Sequence, residues 1–216
     1  MTTAPRQYHR VIGAASLIVG PALMSVGDLF HPPESWDPAV QVAMVAAAPS
    51  RWYAAHLLLF TGMLLFVPGI LALTAIVADR RPALGYAARV LMLAAVGALS
   101  AVFGFEMLLG RFVAGGASQA AAVALLETFT GPAVFAVLMP GLLAFFVGTG
   151  LAVAPLASSP GSLRGPALMF ALGTALILAE IISAQVVLSQ IGNVLCLAGG
   201  WWFARVLRRG TALAAA

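Results

Sequence analysis

The chain has 216 residues, of which 62% are hydrophobic and only 8% are charged. Soluble domains carry about 25% charged residues, so this composition excludes an ordinary water-soluble domain and indicates a lipid environment. The net charge of +4 comes from arginines beside apolar segments, a placement that indicates membrane topology and not binding of nucleic acid. A single cysteine, Cys196, excludes an internal disulfide.

Apolar stretches of about 20 residues predict transmembrane helices, and six occur along the chain. The first lacks a small-residue cleavage site, so we expect a retained helix and not a signal peptide. A tight turn around Ser189–Gly192 is expected between the last two, with a single long broken helix as the alternative. The sequence thus predicts an all-α integral membrane protein with six transmembrane helices in one bundle. Their approximate bounds are 11–30, 53–78, 85–110, 132–154, 166–187 and 190–207.

Two connections between spans carry signals of short helices. Asp37 followed by Pro38 is typical of a helix start, and the helix is expected over 39–48. Ser118 is the expected cap of a second helix over 119–129. Both segments are too short to span and too apolar to stay in water, so we predict two interfacial helices that lie over the bundle as lids.

The arginines predict the orientation. With the N-terminus inside, nine of the eleven arginines lie on the inner side, and only Arg51 and Arg111 lie on the outer side. This distribution follows the positive-inside rule. Six spans then place both termini in the cytoplasm of a multi-pass protein of the bacterial inner membrane, with the two short helices on the outer side.

Three carboxylic acids lie in the outer halves of apolar spans: Asp28, Glu106 and Glu180. An ionisable group in hydrocarbon is costly, so each by default marks a functional site that faces the bundle interior. Glu180 lies deepest and has no basic residue within reach on its own helix. That setting favours a protonated carboxyl and suits a general acid, with a structural hydrogen bond as the alternative. Pairing of Asp28 with His31 and of Glu106 with Arg111 is the alternative for the other two acids.

Polar and aromatic side chains at the same depth predict an outward-facing pocket. His31 lies one turn beyond Asp28, and His56 lies about one turn inside the second span. A buried interfacial histidine is the alternative for His56, and the tryptophans are also typical of the membrane–water boundary. The expected substrate-binding residues are His31, His56, Trp36, Trp52, Tyr53, Phe103, Phe105 and Asn193.

Small residues at four-residue spacing predict close contacts between helices. One such pair is Ser100 and Gly104, and one such series is Gly192, Cys196 and Gly200. Packing explains these positions without a functional role.

Several reaction classes lack their motifs in this chain. There is no P-loop, no G-x-G-x-x-G, no H-E-x-x-H and no G-x-S-x-G, and no aspartate-rich pair is present to hold magnesium on a diphosphate. We therefore expect no metal and no cofactor. An apolar aromatic pocket with protonatable carboxyls instead suits protonation of an alkene or epoxide, because aromatic faces stabilise a cation and exclusion of water protects it. A second carboxylate would take the final proton.

With its small size, six apolar helices and intramembrane acids, the chain resembles bacterial membrane-bound terpene cyclases, which cyclise prenylated precursors by protonation. The resemblance includes no short motif, so it assigns no role to any residue. It implies an isoprenoid-like, lipophilic small-molecule substrate and a cyclase or isomerase that works by general acid–base chemistry beside membrane lipid. The sequence identifies no protein partner.

Two other functions remain open at the level of sequence. In a haem-binding membrane protein, His31 and His56 would be axial ligands from adjacent spans. In a small transporter or lipid-binding protein, Glu180 would exchange protons. Transport requires a path to the cytoplasmic side, and the inner half of the spans lacks a comparable polar lining, which favours a one-sided pocket.

Overall fold

The computed structural model describes residues 4–32, 35–158, 161–183 and 186–209, and every regular element within them is an α-helix. Five of these helices, α1, α3, α4, α6 and α8 in the numbering below, are long and apolar enough to cross a membrane, which agrees with the predicted all-α membrane protein. The eight helices are α1 (Ala4–Phe30), α2 (Pro38–Ala47), α3 (Pro49–Arg80), α4 (Pro82–Ala114), α5 (Gln119–Phe129), α6 (Pro132–Ser158), α7 (Arg164–Ser183) and α8 (Val186–Arg209).

The six long helices pack in a closed ring. Its order is α1, α3, α4, α6, α7 and α8, after which α8 returns to α1, and α3 also touches α6 across the ring. Neighbours run antiparallel where close contacts show their direction: Gly13 of α1 lies beside Ala72 of α3, and Gly27 lies beside Ala55. Apolar side chains from all six helices fill the ring, among them Phe66, Phe170 and Phe203.

Because neighbouring helices run antiparallel, the two ends of the ring carry different numbers of arginines. Arg80 ends α3, Arg164 begins α7 and Arg208 lies in the last turn of α8, all at one end. Arg51 lies in the first turn of α3 and Arg111 near the end of α4, at the opposite end. The arrangement of the helices therefore keeps the charge asymmetry from which the orientation was predicted.

The last two helices form a hairpin, and the break between them differs from the predicted turn. Gly173 of α7 lies against Gly192 of α8, so the two helices pack side by side, and the single broken helix is wrong. The segment Ser189–Gly192 lies within α8, about one turn past its start at Val186. Hydropathy could not mark this boundary, because the apolar run continues on both sides of it.

The two short helices begin where the sequence predicts. Asp37 Oδ1 accepts hydrogen bonds from the backbone N–H groups of Ala39 at 2.8 Å and Val40 at 3.1 Å, and Ser118 Oγ accepts one from Ala121 N at 3.2 Å. These bonds satisfy donors that a helix start leaves open. The helices α2 and α5 pack against each other and against α4. Their shared cluster consists of Val42, Val45, Trp52, Leu109, Ala122 and Leu126.

The small residues form close contacts at some predicted positions only. Gly192 and Cys196 lie against Gly173 of α7, and Gly200 lies against the backbone of Leu17 in α1. Gly104 differs, because no atom lies within 4 Å of the place where its Cβ would be. The prediction of a close helix contact at Gly104 is therefore wrong: spacing alone does not show which face of a helix meets a neighbour.

A serine side chain of α1 forms hydrogen bonds with the backbone of α3 beside Pro68. Ser16 Oγ donates to the carbonyl of Leu65 and accepts from Gly69 N at 2.9 Å. In a regular helix Gly69 N donates to Leu65 O, so the hydroxyl bonds to both partners of one backbone hydrogen bond of α3. This contact fixes α1 to the middle of α3.

Candidate functional site

A carboxyl group at the end of α1 is held by two polar side chains of α8. Asp28 Oδ2 accepts hydrogen bonds from Ser189 Oγ at 3.3 Å and from Asn193 Nδ2 at 3.2 Å. Ser189 and Asn193 are four residues apart and share one face of α8. The structure thus joins two predicted site residues, Asp28 and Asn193, and adds Ser189, which the sequence placed in a turn. The signal for Ser189 was its spacing from Asn193 in an otherwise apolar run.

Two histidines and a tryptophan form a compact cluster where the end of α1 meets α3. His31 is the first residue after α1, and Trp52 and His56 belong to α3. The Nε2 atoms of His31 and His56 are 3.1 Å apart. His31 Nδ1 lies 2.7 Å from the carbonyl oxygen of Pro32, and His56 Nδ1 lies 2.9 Å from that of Trp52. The Trp52 indole packs against both rings, with centroids 4.9 Å from His31 and 4.7 Å from His56. His56 and Trp52 are buried, and the Phe103 ring lies 6.3 Å from His56.

Trp52 also connects this cluster to α4. Its Nε1 donates to the backbone carbonyl of Glu106 at 3.1 Å, and the Oε2 atom of Glu106 is enclosed by protein. The neighbouring Phe105 stacks on Phe129 of α5, with ring centroids 3.6 Å apart and nearly parallel planes. The predicted site residues of α4 therefore lie between the histidine cluster and the short helix α5.

Two further predicted residues lie at the edge of this region or outside it. Tyr53 is partly buried, and the Arg111 guanidinium lies 5.7 Å from its ring centroid, which fits a cation–π contact. Trp36 is 86% exposed, just before the cap of α2. The structure does not bury Trp36 with Trp52 and His56, and its place in the predicted pocket stays a prediction.

The three acids Asp28, Glu106 and Glu180 lie on alternate helices of the ring. Asp28 belongs to α1, Glu106 to α4 and Glu180 to α7, and in the part of the chain that the structure describes no two of these helices pack against each other. Both α1 and α7 contact α8, so Asp28 and the partly buried Glu180 flank the same helix. The three carboxyl groups can therefore meet only across the interior of the ring.

The histidine pair does not fit the two axial ligands of a haem. A metal–nitrogen bond is about 2 Å long, so nitrogens on opposite faces of an iron would be about 4 Å apart with the porphyrin between them. His31 and His56 instead approach to 3.1 Å with their rings edge to face. Among the residues described, no group of three His, Cys, Asp or Glu side chains is arranged to hold a metal ion.

No protein-family model, curated protein or solved structure matches this chain. The resemblance to membrane-bound terpene cyclases therefore stays a prediction.

Proposed function

We propose that the chain is a membrane-embedded enzyme that protonates a lipophilic, isoprenoid-like substrate and then removes a proton, as in a cyclisation or isomerisation. In this proposal α7 crosses the membrane in addition to the other five long helices, both termini lie in the cytoplasm, and α2 and α5 lie at the outer membrane surface. The 20-residue length of α7 and the unequal distribution of arginines between the two ends of the ring support this topology.

The observation that carries the proposal is the different setting of two acids that flank α8. Two side chains of α8, Ser189 and Asn193, donate hydrogen bonds to the Asp28 carboxyl. Glu180 lies in the apolar helix α7. Pairs of carboxyl groups in different environments divide the roles of acid and base. We assign Glu180 as the proton donor and Asp28 as the proton acceptor.

In such a reaction the substrate gains one proton from the site and gives one proton back to it. Glu180 gives its proton to an alkene carbon or epoxide oxygen, which leaves a carbocation on the substrate. An aromatic side chain such as Phe103 can stabilise the cation, and the lipid-facing helices keep water away. Asp28 takes a proton from a neighbouring carbon, so the product has the composition of the substrate. Exchange with water at the outer end then returns Glu180 to its protonated form and Asp28 to its carboxylate.

Comparison of lipid extracts from cells with and without the chain tests the proposal. Mass spectrometry should reveal a lipophilic compound that appears with the wild-type chain and disappears with Glu180→Gln, because glutamine keeps the shape of the side chain but cannot supply the proton. Incubation of membranes that contain the chain with unlabelled lipid extract in D₂O should add one deuterium on carbon to the product of an alkene substrate. The matched control is Glu127→Gln, since Glu127 is exposed on α5. Unchanged product with Glu180→Gln would show that the assignment of the acid is wrong.

A further inference from the structure

Two tryptophans and an arginine line a shallow cleft in α8, at the arginine-rich end of the ring of helices. The exposed side chains of Trp201, Trp202 and Arg205 form the α8 cleft together with the buried Val206. Its volume is about 210 Å³, whereas pockets for drug-sized molecules measure about 300–1,000 Å³. The α8 cleft therefore has room for a small polar group and not for a whole lipophilic substrate.

An aromatic face holds the guanidinium group of the cleft. The central carbon of the Arg205 guanidinium lies 4.2 Å from the centroid of the Trp201 ring, which belongs to the preceding turn of α8. This distance fits a cation–π contact, and such a contact orients the planar guanidinium. A guanidinium can donate two parallel hydrogen bonds to the oxygens of a phosphate. Because Arg205 is already oriented, it loses less side-chain freedom when it binds a phosphate.

The second tryptophan of the cleft lies against α7. A Cβ atom on Gly165 would lie 2.7 Å from Trp202 Cη2, so the indole would have to shift if this residue had a side chain. Glycine at this position lets the indole approach the first turn of α7. The cleft therefore has one wall that is supported by the contact between two helices.

The charge around the α8 cleft is positive. Arg208 lies one turn beyond Arg205 on the same face of α8, and Arg164 begins α7; both are exposed. The helices α6 and α8 contain no acidic residue. Glu180 of α7 lies about 24 Å along its helix from Arg164, at 1.5 Å per residue, and Asp28 lies at the opposite end of α1. The cleft thus combines an oriented guanidinium with surroundings that attract an anion.

We propose that the α8 cleft binds the headgroup of an anionic phospholipid, with Arg205 as the donor to its phosphate. The helix α8 is long and apolar enough to cross a membrane, and indole rings are typical of the depth at which lipid headgroups lie. Basic pockets between membrane helices bind anionic headgroups. A choline headgroup fits less well, because Arg205 already covers a face of Trp201 and the nearby arginines repel a second cation. This inference depends on the membrane setting and not on the proposed enzymatic activity.

Native mass spectrometry of the purified chain in detergent tests the headgroup. Phosphatidylglycerol has a net negative charge, whereas phosphatidylcholine has a phosphate but no net charge. We expect the wild-type chain to retain one phosphatidylglycerol molecule with higher affinity than phosphatidylcholine. Arg205→Gln should weaken the binding of phosphatidylglycerol by about tenfold, because a charge-assisted hydrogen bond to the phosphate is lost. Equal affinity of the wild type for the two lipids would overturn the proposal.

Arg80→Gln is the matched control for charge. Arg80 is exposed and ends α3 at the same end of the ring, and α3 does not pack against α7 or α8 in the part of the chain that the structure describes. Its loss should change the affinity for phosphatidylglycerol by less than about twofold, since salt screens distant charges. Equal losses in Arg80→Gln and Arg205→Gln would show that net charge, and not the cleft, holds the lipid.

Trp201→Leu tests the cleft without a change of charge. It keeps every arginine but removes the aromatic face that orients Arg205, so we expect about threefold weaker binding of phosphatidylglycerol. Because Trp201 is 48% exposed, we expect leucine to leave the fold intact, which circular dichroism checks. Unchanged binding in this variant would contradict the role of the aromatic face.

Inorganic phosphate distinguishes a lipid headgroup from a soluble anion. A bound lipid also has acyl chains beside the apolar surface of the helices, so millimolar phosphate should not displace phosphatidylglycerol from the chain. Displacement at that concentration would show that the cleft is a site for soluble phosphate and would overturn the proposal. These measurements require no turnover of a substrate, so their outcome is separate from that of the proposed function.

Discussion

Gly192 lies at the closest approach of α7 and α8, one residue before Asn193, which holds Asp28. A Cβ atom on Gly192 would lie 2.7 Å from the Gly173 carbonyl oxygen and 2.9 Å from Ile177 Cγ1. Ordinary contact begins at 3.4 Å, so in Gly192→Ala the two helices would have to shift by about 0.7 Å. A shift of this size exceeds what a hydrogen bond tolerates, and it would disturb the bonds that Asn193 and Ser189 donate to Asp28.

The expected loss of stability follows from two opposing effects. Overpacking of a close contact costs about 1–3 kcal/mol, whereas replacing glycine by alanine inside a helix gains about 0.5–1 kcal/mol. We therefore expect Gly192→Ala to lower the free energy of unfolding by about 1–2 kcal/mol. Denaturation of the purified chain in detergent, followed by circular dichroism, measures this change.

Gly97→Ala is the matched control, because no atom lies within 4 Å of the Cβ position at Gly97 in α4. The same substitution there should leave stability unchanged or raise it by up to about 1 kcal/mol. If Gly192→Ala and Gly97→Ala were equally stable, the contact between α7 and α8 would not be as close as the structure shows, and the argument for α8 as a fixed support of Asp28 would be refuted.

Two further sets of substitutions test the site and the start of α2. Asp28→Asn should keep the contacts with α8 but lower turnover by about 10²–10⁴-fold, because an amide cannot take the proton. Glu106→Gln should also reduce turnover, and product formation in lipid extracts measures both variants. Normal activity in both variants would leave Glu180 without a partner base. Asp37→Ala should destabilise the start of α2 by about 1 kcal/mol, which would appear as faster hydrogen exchange at the amides of Ala39 and Val40, and unchanged exchange would contradict the role of Asp37 as the cap.

The sequence was sufficient for features that depend on local signals. Long apolar runs locate the five helices that are long and apolar enough to cross a membrane, because each backbone polar group in lipid must be satisfied within its own helix. Asp37 and Ser118 locate the starts of α2 and α5 because a short polar side chain at a helix start satisfies backbone donors nearby in the chain. Neither prediction requires knowledge of which helices are neighbours.

Features that depend on the rotation and order of the helices could not be predicted in the same way. The sequence placed Ser189 in a turn because polar residues interrupt an apolar run, yet its hydroxyl bonds to Asp28 across 161 positions of the chain. It placed Trp36 beside Trp52 in one pocket because both lie near the outer end, yet only Trp52 is buried. Depth in the membrane follows from chain position, whereas the direction of a side chain follows from packing.

The last turn of α1 links the two polar groups that the structure reveals. Asp28 is bound to α8 through Ser189 and Asn193, and His31, three residues later, is bound to α3 through His56. Because α1 lies between α8 and α3 in the ring, the same short segment is held from both sides. A rotation of this turn that relieves one contact must strain the other. A substitution at His56 would therefore affect the position of the Asp28 carboxyl even though Asp28 and His31 bond to different helices.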